Sequence, residues 1–272
     1  MTAPSRFDLS NRVTLITGGA GLLGIQHGHA IKEAGGIPIL ADLNEAALQR
    51  AVGEVGAPAE SLVVDVTSLE SIEKALAEIL RRHGRIDILV NNAARNPKVE
   101  KTADAPPLTR FENLRMDDWD LDIAVGLTGS MLCCRVFGGE MARQGGGAIV
   151  NIGSEYSLVA PDQTIYRVEG LPDDQQPSKP VTYTVVKHAI VGLTRHLAVY
   201  WADKGVRVNC LCPGGVEQNQ DPEFKRRLTR LIPLGRMARP DDMRGALVFL
   251  CSDASSFMTG EIVAVNGGRT VW

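Results

Sequence analysis

Short apolar runs alternate with longer amphipathic stretches along most of this 272-residue chain. The runs are Val13–Thr17, Ile37–Ala41, Ser61–Val64, Ile86–Asn91, Ala148–Ile152, Val206–Cys210 and Ile262–Val265. Several are apolar at successive rather than alternate positions, the pattern of strands covered on both faces. Helices are expected near 23–34, 45–53, 69–83, 117–143, 182–203 and 240–252. Glycine or proline marks many joints, as in Gly35-Gly36, Gly145-Gly146-Gly147 and Pro213-Gly214. Such alternation implies an α/β protein built on a doubly wound parallel sheet of about seven strands flanked by helices. The length suffices for one such domain with a large core, and no linker or internal repeat divides residues 1–272. Ligands of these sheets bind beyond the carboxyl ends of the strands. Two long proline-containing loops, 94–116 and 156–181, leave those ends and are read as covering a substrate.

Composition narrows the partners. Apolar residues make up 44% and charged residues 22%, with a net charge of −3, so neither nucleic acid nor an anionic membrane surface is expected. Met1 to Ser10 lacks the apolar stretch of a signal peptide, and no later run approaches the roughly 20 apolar residues that span a bilayer. A cytoplasmic protein is expected. The five cysteines fit reduced, buried thiols. Cys133 and Cys134 are neighbours on a helix and point apart, while Cys210 and Cys212 share a strand face. No metal site is expected, since a zinc site needs more ligands, including a second closely spaced pair. His27 and His29, on the first helix, do not face each other and are read as partly exposed.

The segment after Val13–Thr17 is Gly18-Gly19-Ala20-Gly21-Leu22-Leu23-Gly24. Glycines here permit a tight turn and a close approach of phosphate to backbone amides, and the following helix turns its positive end toward that phosphate. Gly18, Gly21, Leu22, Leu23 and Gly24 are therefore candidate cofactor contacts on a Rossmann-like, single-domain fold. A tight turn without a ligand is the alternative. Asp42 ends the second strand, where a carboxylate accepts hydrogen bonds from an adenosine ribose and repels a 2′-phosphate. Neither Leu43 nor Asn44 supplies a neutralising cation, so NAD is expected over NADP. The competing role for Asp42 is a helix cap. Asp65 and Val66 at the third strand's end are candidates to flank adenine. Asn92 and Ala93 at the fourth strand's end are candidates to pass beside the cofactor.

Tyr183 and Lys187 stand four apart, hence on one helical face. A tyrosine must drop about three pKa units, about 4 kcal/mol, to act as a base near neutrality. A nearby ammonium and the cation of an oxidised nicotinamide can supply that, letting Tyr183 exchange a proton with an alcohol. Lys187 also suits the nicotinamide ribose. Ser154, at the fifth strand's end, is a candidate donor to the substrate oxygen. The competing readings are a solvated Tyr-x-x-x-Lys face and a turn-capping serine.

Together these residues resemble the short-chain dehydrogenase/reductase family, from about Asn11 to Gly268. The resemblance rests on Gly18 to Gly24, Asn91 to Ala94, Ser154, Tyr183 with Lys187, Pro213-Gly214, and Phe257-Met258-Thr259-Gly260 through Asn266-Gly267-Gly268. It implies a nicotinamide cofactor, alcohol–carbonyl interconversion on a small molecule, and Pro213, Gly214 and Val216 beside the cofactor. It also implies a homodimer or homotetramer built on the helices near 117–143 and 182–203. The chain departs from the family at four places. Leu22 replaces the middle glycine, with Gly21 one position early. Gly126 stands where the family has an asparagine that helps hold a water in a proton path from the lysine. The loop between Ser154 and Tyr183 is unusually long. The threonine that often follows the Pro-Gly turn is missing, which leaves Gln218 to contact the nicotinamide amide.

Thr17–Gly24, Gly126–Gly129 and Gly267–Trp272 are similar, more narrowly, to bacterial members associated with sugar and surface-glycan biosynthesis. This implies a sugar or polyol substrate, with Arg95, Lys98 and Arg167 as candidate anion contacts and Glu155 and Tyr156 as candidate hydroxyl contacts. Solvated surface is the competing reading for the arginines. The leading expectation is an NAD-dependent oxidoreductase of a secondary alcohol or ketone. One alternative is an acyl-carrier or lipid ketone reductase, which predicts NADP preference and is opposed by Asp42. Another is a non-catalytic nucleotide-sensing subunit, for which Gly126 is the best support.

Overall fold

Every residue of β1 (Val13–Thr17) is buried in the computed structural model, which describes residues 6–95 and 107–272. Val13 and Leu15 enter one hydrophobic core and Ile16 enters another. Successive side chains of a strand point to opposite faces, so a continuous apolar run needs cover on both sides. That cover follows in sequence. Leu22–Glu33, Glu45–Val55 and Arg244–Cys251 pack on one face. Leu69–His83, Met116–Gln144 and Val181–Tyr200 pack on the other.

The remaining strands are β2 (Ile37–Asp42), β3 (Glu60–Val63), β4 (Ile88–Asn91), β5 (Gly147–Ile152), β6 (Val206–Pro213) and β7 (Ile262–Val265). They form one parallel sheet in the order β3-β2-β1-β4-β5-β6-β7. The order reverses between β1 and β4, and the crevice at that switch point is where such a sheet receives a ligand.

Three expectations need correction. His27 is not partly exposed: it is fully buried among Gly24, Gly28 and Ile31 on the inner face of its helix. Burial pushes its pKa down to about 4, and neither ring nitrogen has a partner among the described residues. Met116–Gln144 is one 29-residue helix, long and apolar enough by composition to cross a membrane. It packs instead on the sheet through Cys133, Cys134, Phe137 and Met141. Finally, the helix Pro222–Thr229 was not anticipated, although Asp221 caps it by accepting from the Glu223 and Phe224 amides. The five cysteines are free and buried, with Cys210 and Cys212 sulfurs 3.6 Å apart.

Candidate active site

The carboxyl ends of β1, β2, β4, β5 and β6 open into one cleft of about 470 Å³. At one end lie Gly18, Gly21, Leu22, Leu23, Asp42 and Asn92. The turn after β1 is held by side chains rather than by its glycines alone. Asn92 Nδ2 donates to the carbonyls of Thr17 and Gly18, each at 3.0 Å. Thr17 Oγ1 accepts from the amides of Asn92 and Ala93, each at 3.1 Å. Gly24 serves this turn by packing: a Cβ there would lie 2.3 Å from the Gly18 carbonyl oxygen. The helix that follows has no side-chain cap at Gly21, so its first-turn amides are left for another acceptor.

Asp42 Oδ2 accepts from the Ala20 amide at 3.3 Å, which fixes the carboxylate against the turn. The second helix is capped by Asn44, whose Oδ1 accepts from the Ala47 amide at 3.0 Å. The helix-cap role is therefore Asn44's, and Asp42 faces the cleft. An uncapped helix N-terminus and an acidic group at the end of β2 fit a dinucleotide's pyrophosphate and ribose.

At the other end lie Ser154, Tyr183 and Lys187. Lys187 is 5% exposed and donates to the Ile152 carbonyl at 2.7 Å. Its ammonium stands 5.8 Å from the Tyr183 ring centre. Burial pushes its pKa down to about 8, opposed by Cys210 and Cys212. Ser154, 7% exposed, fills two roles. Its hydroxyl accepts from the Tyr156 amide at 3.2 Å, capping the short turn Glu155–Ser157, and it also draws the Tyr183 pKa down. Burial raises the Tyr183 pKa, and the nearby Ser154 hydroxyl opposes it. The lowering expected from the sequence is thus not supplied by the protein's own groups.

The site's depth comes from polar pairs beneath it. Asn91 Nδ2 donates to Asn151 Oδ1 at 2.8 Å, and Asn151 Nδ2 donates to Thr194 Oγ1 at 2.9 Å. This ties the ends of β4 and β5 to the helix that carries Tyr183. Thr182 Oγ1 donates to the buried Asp122 at 2.5 Å, joining that helix to Met116–Gln144. At Gly126, a Cβ would lie 2.6 Å from Val186 Cγ1. Val186 closes the space beside the position where the resemblance places an asparagine.

Glu155, Tyr156, Pro213, Gly214, Val216 and Gln218 also line the cleft. Gly24, Asp65, Val66, Ala93, Arg95 and Arg167 do not. Asp65 Oδ1 accepts from the Thr67 amide and hydroxyl, and Val66 packs on Gly129. Arg95 pairs with Asp122 at 2.9 Å, and Arg167 lies 3.4 Å from Asp173 in a separate outer cavity. Lys98 lies outside the described residues. The sequence reading missed Lys179, Tyr166, Gln220, Phe224, Leu228 and Met237, all in the cleft wall. Lys179 sits 3.9 Å above the Tyr183 ring centre, and burial pushes its pKa down to about 8. Lys179 precedes the helix Val181–Tyr200, so its four-residue spacing from Tyr183 is not a helical-face signal.

Residues 12–166 match the family model described as short chain dehydrogenase, and residues 174–270 match the one described as enoyl-(acyl carrier protein) reductase. The chain is 34% identical to a D-threitol dehydrogenase of Mycolicibacterium smegmatis, over 97% of this chain and 95% of that protein. It is 31% identical to an NAD-dependent glycerol dehydrogenase of Listeria innocua, over 97% and 96%. Among solved structures, a gluconate 5-dehydrogenase of Burkholderia cenocepacia in complex with NADP and tartrate superposes with a TM-score of 0.83. That match has 30% identity and covers 99% of both chains. None of the three is named for surface-glycan synthesis. With the glycine turn, Ser154, Tyr183 and Lys187 meeting in one cleft of a seven-stranded parallel sheet, the chain belongs to the short-chain dehydrogenase/reductase family.

Proposed function

We propose that this protein is an NAD-dependent oxidoreductase that interconverts a secondary alcohol and a ketone on a polyol or sugar derivative. The observation that carries the reading is the convergence of Ser154, Tyr183 and Lys187 on the cleft whose far end is lined by the glycine turn and Asp42. The nicotinamide, when bound, supplies hydride exchange. Tyr183 gives or takes the proton at the reacting oxygen, with Ser154 donating to that same oxygen and Lys187 holding positive charge beneath the phenol. The polyol class is supported by relatives named for threitol and glycerol. The relatives divide over the cofactor, one being named NAD-dependent and another being solved with NADP. Asp42 supports NAD in this reading, because its carboxylate lines the cleft and would repel a 2′-phosphate. Pro213, Gly214 and Val216 beside the nicotinamide complete the proposed cofactor contacts within the cleft, and Asp65 and Val66, outside it, are proposed only to flank adenine. We further propose a homodimer or homotetramer.

Turnover of a polyol, sugar and ketone panel with NAD and with NADP tests this reading. Tyr183→Phe should lower kcat by roughly a hundredfold or more while cofactor affinity holds. Asp42→Ala should weaken NAD roughly ten- to hundredfold, charged hydrogen bonds being worth about 1.5–3 kcal/mol, and should narrow the gap to NADP. Unchanged cofactor selectivity in Asp42→Ala would remove the ribose assignment. A protein that binds NAD but turns over nothing in the panel would leave the sensor reading in its place.

A further inference from the structure

Glu155 is a charged residue placed where a carboxylate is costly. It follows Ser154 directly, on the short turn Glu155–Ser157, and is 3% exposed while lining the cleft. Among the described residues, its Oε2 has no hydrogen-bond partner. Arg269 and Lys179 lie near enough to draw its pKa down, yet burial outweighs both and pushes it up to about 7. Arg269 does not close an ion pair with it: among the described residues no such pair forms, and Arg269 Nε is itself without a partner. Tyr156 and Tyr166 bond each other, 3.3 Å apart, rather than Glu155.

A buried acceptor left unpaired in this way destabilises the fold by the desolvation of that group. Among the described residues, Arg269 and Lys179 offset that cost only in part, and a bound substrate entering the cleft can supply the missing donor. The donor must enter through the cleft, beside the oxygen that Ser154 and Tyr183 address. We propose that Glu155 is the specificity-determining residue of this site, accepting a hydrogen bond from a hydroxyl next to the reacting carbinol and so selecting vicinal polyols over simple secondary alcohols and acyl chains. This rests on the polyol reading above and assigns one residue to it. An alkyl or acyl group in the same place would bury Glu155 with no partner, and a site built to bond a hydroxyl rejects the analogue that lacks it. Arg269 and Lys179 favour the ionised, accepting form. Tyr156, Tyr166 and Tyr183 also face the carboxylate and stay neutral at physiological pH.

The test uses the full chain with NAD, comparing wild type, Glu155→Gln and Glu155→Met on threitol and on 2-butanol. Glu155→Met should lower kcat/KM for threitol roughly ten- to hundredfold, chiefly through KM. Glu155→Gln, which keeps a carbonyl acceptor, should lose less. Turnover of 2-butanol should not fall, NADH affinity should hold, and neither variant should melt below wild type. Threitol kinetics unchanged in Glu155→Met would overturn the proposal. So would a parallel loss on both alcohols, or a drop in melting temperature, since each marks a structural role. A wild type that oxidises neither alcohol refutes the parent polyol reading instead, and the assignment falls with it.

Discussion

His27 shows how a single residue can be misjudged when its chemistry is read before its spacing. Gly24, His27, Gly28 and Ile31 recur at three- and four-residue intervals and form the helix's buried stripe. That periodicity was available, and it outranked the polarity of an imidazole. The catalytic candidates were legible for the opposite reason, since four-residue spacing and an unusual proton-transfer demand point to the same side chains. Lys179 was not legible because only the folded loop carries it over Tyr183. His27→Leu should stabilise the protein by about 1–3 kcal/mol at pH 5, the cost of an unpaired buried polar group. The folded-state pKa of His27 lies below the ordinary 6.5, so wild type should lose stability as pH falls from 6.5 toward 4. Thermal melts should show a smaller loss in the variant, and parallel acid profiles would refute the assignment. Glu155 runs the other way. Its folded pKa, about 7, lies above the ordinary 4.5, so its contribution is intact below 4.5 and is lost as pH rises through 7. The stability advantage of Glu155→Gln should therefore grow between pH 5 and pH 8.

Elements were readable where a hydrophobic period was long. β1 and β7 match their expected bounds, and Leu69–His83 begins at its Ser68 cap and ends at a left-handed Gly84. Pro222–Thr229 escaped because its eight residues carry few apolar positions, although Asp221-Pro222 is a start signal. The long helix near 116–144 was read correctly as a helix, but not its two π turns, Ala124–Thr128 and Cys134–Gly138. Such turns add a residue to the backbone circuit without an apolar signature and often lie at functional sites. The first carries Gly126, whose carbonyl accepts from Ser130 Oγ at 2.8 Å. Val186 stands against that glycine, and a β-branched side chain has little rotamer freedom with which to retreat. Restoring the family's asparagine by Gly126→Asn alone should therefore destabilise by about 1–3 kcal/mol through overpacking. Adding Val186→Ala should recover most of that loss. The double-mutant cycle measures the coupling, and an additive result would show that Val186 is not what excludes the side chain.

At the scale of the whole molecule, the sheet order follows from runs of apolar residues that need two covers. The position of the cleft follows from the reversal of winding between β1 and β4. What lies outside the two main cores is less constrained by periodicity. The 156–181 loop folds as short turns, and its Ile165 joins Leu228, Ile232 and Met237 in a small satellite core. Its packing is thus set by the unanticipated helix and by the segment after it. The two long helices also show apolar side chains that the sheet does not cover. Leu121 and Met131 are exposed on one, and Val185, Val199 and Tyr200 on the other. The dimer or tetramer proposed above would give those residues a partner, because burying each of them in an interface contributes about 1.5–3 kcal/mol. Sedimentation velocity at micromolar concentration should show a dimer or tetramer for wild type. Met131→Glu combined with Val185→Glu should shift it toward the monomer, because a carboxylate in the centre of an apolar contact is desolvated without a partner. Cofactor binding by the monomeric variant should persist, since the residues assigned to the nucleotide lie at the strand ends of a single chain. A wild-type monomer, or an oligomer indifferent to both charges, would place the assembly surface elsewhere.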